Sequence, residues 1–73
     1  MIITKDNTER VSGMFLTARK KKGLTLEETA KISGLTKTTV SALELGQSEP
    51  RLYTLVCMAD ALGLVVEIRE ATR

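Results

Sequence analysis

Apolar residues recur along most of this chain with helical spacing. Val11, Met14, Phe15 and Ala18 stand at i, i+3, i+4 and i+7, one stripe of a helix predicted over about Asn7–Lys22. Asp6 and Glu9 have capping-box spacing at its start, and Gly23 stops it. A second box, Thr25 with Glu28, opens a helix over about Leu26–Ile32. Ala30 faces inward there, and Ser33-Gly34 ends it, Gly34 being free to take positive φ. Thr36 caps a third helix over about Lys37–Leu45. Its Val40 and Leu43 point inward, while Lys37, Thr38, Ser41 and Ala42 point outward; Gly46 ends it. After the loop "GQSEP", Pro50 suits the start of a fourth helix over about Arg51–Leu62. Leu52, Leu55, Val56, Ala59 and Leu62 form its expected apolar face.

The period then changes. In "GLVVEIRE", Gly63 to Glu70, Leu64, Val66 and Ile68 alternate with Val65, Glu67 and Arg69. A period of two predicts a short strand. A strand needs a partner for its backbone groups, and the helical body offers none.

The stretch "TLEETAKISGLTKTTVSALELG", Thr25 to Gly46, reads as two short helices joined by a tight turn, the helix-turn-helix layout. A steep, close crossing needs a small residue on the first helix, supplied by Ala30. The turn needs a left-handed backbone, supplied four residues on by Gly34. The second helix must lock onto the first, which Val40 and Leu43 do. All four requirements are met together.

On these residues the chain resembles the lambda-repressor and Cro-like helix-turn-helix proteins, the XRE-type group. The pieces "GLT", "V-x-x-L-E-x-G" and "ALGL" stand where that family has them, and the likeness spans about Val11 to Gly63. It implies an all-α, lambda-repressor-like bundle of four to five short helices, forming one domain over residues 1–73, that binds double-stranded DNA. It also implies an ion pair between Arg19 of the first helix and Glu44 of the third. A shielded Glu44 would require such a partner.

The same resemblance places the third helix in the major groove, with its amino-terminal residues at base edges. The matching base-reading positions are Thr36, Lys37, Thr38, Ser41 and Ala42. Lys37 can donate to guanine acceptors; Thr38 and Ser41 can donate or accept; a Thr or Ala methyl can meet the thymine methyl. Thr36 is a cap first and a contact in addition. Phosphates are expected at the starts of helices two and three, where amides and dipole favour anions. That assigns Thr25, Leu26 and Thr39, joined by Gln47 and Ser48 in the following loop. Leu26 departs from the best-known family members, which carry Gln there to contact a phosphate. Glu27, Glu28 and Glu49 add negative charge nearby, so modest affinity per monomer is expected.

Composition narrows the alternatives. The 73 residues include no His and one Cys. The usual general base and most zinc sites are therefore missing, no enzyme is expected, and no cofactor or metal is implied. Cys57 falls in a helical apolar pattern and reads as a core or boundary residue. Net charge is only +2, but "RKKK" at Arg19–Lys22 concentrates four cations. That run suits a helix C-terminus and, with Arg51, can add long-range attraction to DNA. No apolar run reaches the roughly 18 residues that span a membrane. A cytoplasmic, nucleoid-associated protein is expected. Two aromatics leave little for stacking on RNA bases.

One such motif reads too few base pairs for a genome, so a two-fold dimer on a palindromic operator is expected. The terminal strand supplies an interface: Leu64, Val65, Val66, Glu67, Ile68 and Arg69 pairing antiparallel with their copies, Glu67 facing Arg69 across strands. Pairing within the chain to Ile2–Thr4 is the alternative. This ending resembles HipB-type antitoxins, which implies a repressor of its own toxin–antitoxin operon that also restrains a HipA-like kinase toxin. A stand-alone or phage-type regulator, or a protein-interaction module on the same body, remains open.

Overall fold

Every turn between helices here is set by a local polar or glycine signal. The computed structural model of the chain describes residues 7–47 and 49–70, without the side chain of Thr8. Among these residues the helices are α1 (Thr8–Lys21), α2 (Leu26–Ser33), α3 (Lys37–Leu45) and α4 (Leu52–Ala61). Asn7 holds the N-cap position of α1; Asp6, half of the box expected there, lies outside the described residues. α2 opens with the full reciprocal box: the Thr25 hydroxyl accepts from the Glu28 amide at 3.0 Å, and the Glu28 carboxylate accepts from the Thr25 amide at 3.0 Å. α3 opens with the Thr36 hydroxyl accepting from the Thr39 amide at 3.1 Å.

The turn between α2 and α3 rests on Gly34, whose φ of 76° is left-handed. That geometry lets the Leu35 amide donate back to the Ala30 carbonyl at 3.1 Å, closing the helix end. α3 packs against both α1 and α2, and α2 packs against α4. The shared core is Val11, Phe15, Ala30, Val40, Leu43, Met58, Ala59 and Leu62. Thr29 is fully buried with them and satisfies its hydroxyl on the Thr25 carbonyl at 2.9 Å. No helix of the described residues is long and apolar enough to cross a membrane.

Three expected core residues face outward. Met14 lies at the edge of the α1 stripe and is exposed. On α4 the buried line is Leu55, Met58, Ala59 and Leu62, itself an i, i+3, i+4, i+7 stripe. Leu52 and Val56 fall outside that line and are exposed, and Met58 takes the central place. Cys57 is half-buried.

The C-terminal segment departs most from expectation. Residues 64–70 form no strand of their own; Glu67 alone makes a β-bridge. The alternation survives only as sidedness: Leu64 and Val66 pack on the core, while Val65 and Glu67 face out. Ile68 is exposed. Glu67 and Arg69 form an ion pair within the chain at 2.9 Å. Residues two apart on an extended segment share a face, which brings the two charges together. Ile2–Thr4, the alternative partner, lies outside the described residues.

Candidate nucleic-acid interface

α3 owes its position to what holds its two ends. At its carboxyl end Glu44 is buried, its side chain only 5% exposed, and Arg19 of α1 meets it with two bonds: Nε to Oε2 at 2.6 Å and Nη2 to Oε1 at 3.1 Å. Arg19 spends its remaining nitrogen, Nη1, on the Leu24 carbonyl at 2.8 Å. One guanidinium thus ties α1, the entry to α2 and the end of α3 together. The planar fork of Arg suits this bidentate duty where Lys would not. At the same end Gly46 is left-handed, φ 66°, so the Gln47 amide returns to the Ala42 carbonyl at 3.0 Å.

With its inner side fixed by Val40 and Leu43, α3 presents the opposite side outward. A shallow groove of about 310 Å³ forms there, lined by Leu26, Lys37, Thr38, Ser41, Ala42 and Gln47. Four of the five expected base-reading residues and two of the expected phosphate residues therefore share one surface. The fifth, Thr36, sits exposed at the head of α3 with its hydroxyl engaged as the cap. Ser48 lies outside the described residues.

The amides at the helix starts are unequally available. The Thr25 amide is held by Glu28, and the Thr39 amide by Thr36. Thr39 also shares a hydroxyl–hydroxyl bond of 2.9 Å with Thr36. Leu26 and Glu27 on α2, and Lys37 and Thr38 on α3, occupy the first two helical positions, whose amides have no acceptor within the helix. These are the open ones, although at the start of α2 the Glu27 and Glu28 carboxylates oppose a phosphate beside them. The Glu28 carboxyl is lowered below its ordinary value of 4.5, first by the Thr25 amide and then by the Thr25 hydroxyl, so it stays ionised beside that site.

Charge around the groove is mixed. Lys37 forms an ion pair with Glu27 at 3.0 Å. Sequence spacing gives no hint of this contact, because the two residues are ten apart; only the steep crossing of α2 and α3 brings them together. Of the basic run, Arg19 is committed to Glu44, while Lys20 and Lys21 are exposed. The end of the Lys22 side chain lies about 3.5 Å from the place a Cβ would occupy on Gly63, at the carboxyl end of α4. A cation there complements the α4 dipole.

The helix-turn-helix family pattern matches residues 16–65, which includes α2, α3, α4 and the groove. The chain belongs to the helix-turn-helix family. Within it the chain is of XRE type. It is also similar to the uncharacterized HTH-type transcriptional regulator y4dJ of Sinorhizobium fredii (strain NBRC 101917 / NGR234). The two are 39% identical over 59 residues, covering 81% of this chain and 77% of that protein. In this helix-turn-helix chain the first helix of the motif is α2 and the second is α3.

Proposed function

We propose that this helix-turn-helix protein is a sequence-specific DNA-binding transcriptional repressor, with α3 as its reading helix. The observation that carries the reading is the groove on the outer side of α3, where Lys37, Thr38, Ser41 and Ala42 line one surface beside Leu26 and Gln47. Donors, hydroxyls and a methyl are the chemistry that reads base edges in the major groove. The name of the S. fredii relative, a transcriptional regulator, supports the same function. The protein binds a palindromic operator as a homodimer. What supports the dimer is apolar exposure in the C-terminal segment: Val65 is 70% and Ile68 87% exposed. Leu52 and Tyr53 on α4 are exposed as well. A second copy covering Val65 and Ile68 would remove that surface from water.

The finer proposal is that the dimer is the antitoxin of a toxin–antitoxin operon, repressing its own transcription and restraining a kinase-like toxin. Its support is the short apolar segment that follows the "ALGL" at the end of α4. The test is binding to the DNA upstream of its own gene across a range of salt, with sedimentation of the full chain and of a chain ended after Gly63. A salt-sensitive complex on a two-fold site, and a truncated chain that sediments as a monomer, are expected. Binding that is equal on every duplex, whatever its dependence on salt, overturns the repressor reading, and a truncated chain that stays dimeric overturns the C-terminal interface.

A further inference from the structure

The Glu27–Lys37 pair has no structural duty that other residues do not already perform. Its side chains are 74% and 58% exposed, so it adds little to stability. Capping of α2 is done by Thr25 and Glu28. The α2–α3 crossing is held by buried Ala30, Val40 and Leu43. Yet Glu27 places a carboxylate against the one ammonium that lines the groove.

We propose that Glu27 is a specificity-determining positioning residue: it keeps Lys37 off phosphates and leaves it available to a guanine. The inference rests on α3 being the reading helix. Lys carries a compact charge on a flexible stem. Unrestrained, that charge moves to the nearest phosphate on any sequence, and phosphate contacts carry no sequence information. An ammonium has three N–H donors. One remains on Glu27 while the others meet N7 and O6 of guanine, which is uncharged. A phosphate in the same place would sit beside the Glu27 carboxylate, anion against anion. The pair therefore opposes the sequence-blind contact and tolerates the sequence-reading one. The cost is lower affinity for all DNA, and the gain is a larger ratio between right and wrong sites.

The experiment compares the full chain with E27Q, K37Q and the E27Q/K37Q double variant. Each is titrated with a cognate duplex selected from a random pool and with its scrambled sequence, over a range of salt. For E27Q, scrambled-duplex affinity should rise more than cognate affinity, lowering the ratio between them by up to about fivefold. The salt slope on the scrambled duplex should steepen by about one per protomer as Lys37 gains a phosphate. In the K37Q background, E27Q should leave the ratio unchanged. Unchanged far-ultraviolet circular dichroism and thermal midpoint establish that E27Q is folded. If E27Q strengthens both duplexes equally, with or without Lys37, Glu27 is only a repelling charge and the proposal is overturned. If the unmodified chain itself prefers no duplex, the DNA-reading role of α3 falls, and this inference falls with it.

Discussion

Arg19 and Glu44, 25 residues apart in sequence, are joined by two hydrogen bonds in a site where neither side chain is more than 13% exposed. The pair fixes the carboxyl end of α3 to α1. Because Arg19 also holds the Leu24 carbonyl, it fixes the entry to α2 as well. The orientation of the candidate reading surface thus depends on contacts made on the other side of the helix.

Removing one partner leaves a buried charge without compensation. Glu44→Ala should lower stability by about 3–5 kcal/mol, measured by urea denaturation. The double replacement Arg19→Met with Glu44→Leu should recover much of that loss, since buried pairs can often be exchanged for apolar groups at little cost. A single variant within about 0.5 kcal/mol of the parent would show that the clamp does not hold the fold.

The capping box makes α2 sensitive to acid in a defined direction. Glu28 has a folded-state pKa below its ordinary value of 4.5 because Thr25 donates to its carboxylate. The stability this contributes is fully present above the unfolded-state value and is lost as pH falls through the lower, folded one. Stability should therefore decline on acidification below about pH 4.5. Glu28→Gln should flatten that part of the profile. Thr25→Ala should cost about 1 kcal/mol at neutral pH through the lost cap. Thermal melts over a series of buffers from neutral to acidic pH read both, and an unaltered acid limb in Glu28→Gln would remove Glu28 as its source.

Gly34 and Gly46 share a backbone conformation but not an environment. Around Gly34 a Cβ would meet nothing within 4 Å, so Gly34→Ala should cost only its backbone strain, about 1–2 kcal/mol. At Gly46 a Cβ would come 3.3 Å from the Ser12 hydroxyl of α1. Gly46→Ala should therefore cost more, and Ser12→Ala should relieve the excess. A double-mutant cycle checks this: coupling is expected between positions 12 and 46, and none between 12 and 34.

Much of the fold was legible because its punctuation is local. Thr25 with Glu28, Thr36, Gly34 and Gly46 act within a turn of themselves, so α2 and α3 could be bounded closely. Sidedness was harder on α4. Leu52 and Val56 are as apolar as Leu55, and only packing against α2 selects the line through Met58. The α3 residues of the groove follow from which side of α3 Val40 and Leu43 bury. The Glu27–Lys37 contact did not, because it joins two helices across a crossing angle that no spacing encodes. The C-terminal alternation gives the side on which Leu64 and Val66 pack, while among the described residues only Glu67 of that stretch bridges, because pairing depends on a partner that period alone does not supply.

The proposed DNA-reading role of α3 turns on Lys37 and its neighbours. The most direct measurement is selection of duplexes from a random-sequence pool by the full chain, repeated with Lys37→Ala and scored over several salt concentrations. The DNA-reading role of α3 predicts enrichment of a two-fold symmetric site with half-sites about one helical turn apart, a steep loss of binding with salt, and for Lys37→Ala a preference relaxed by about 1–3 kcal/mol at one base pair per half-site. A selected pool no different from the starting pool, or one that Lys37→Ala leaves unaltered, would contradict it.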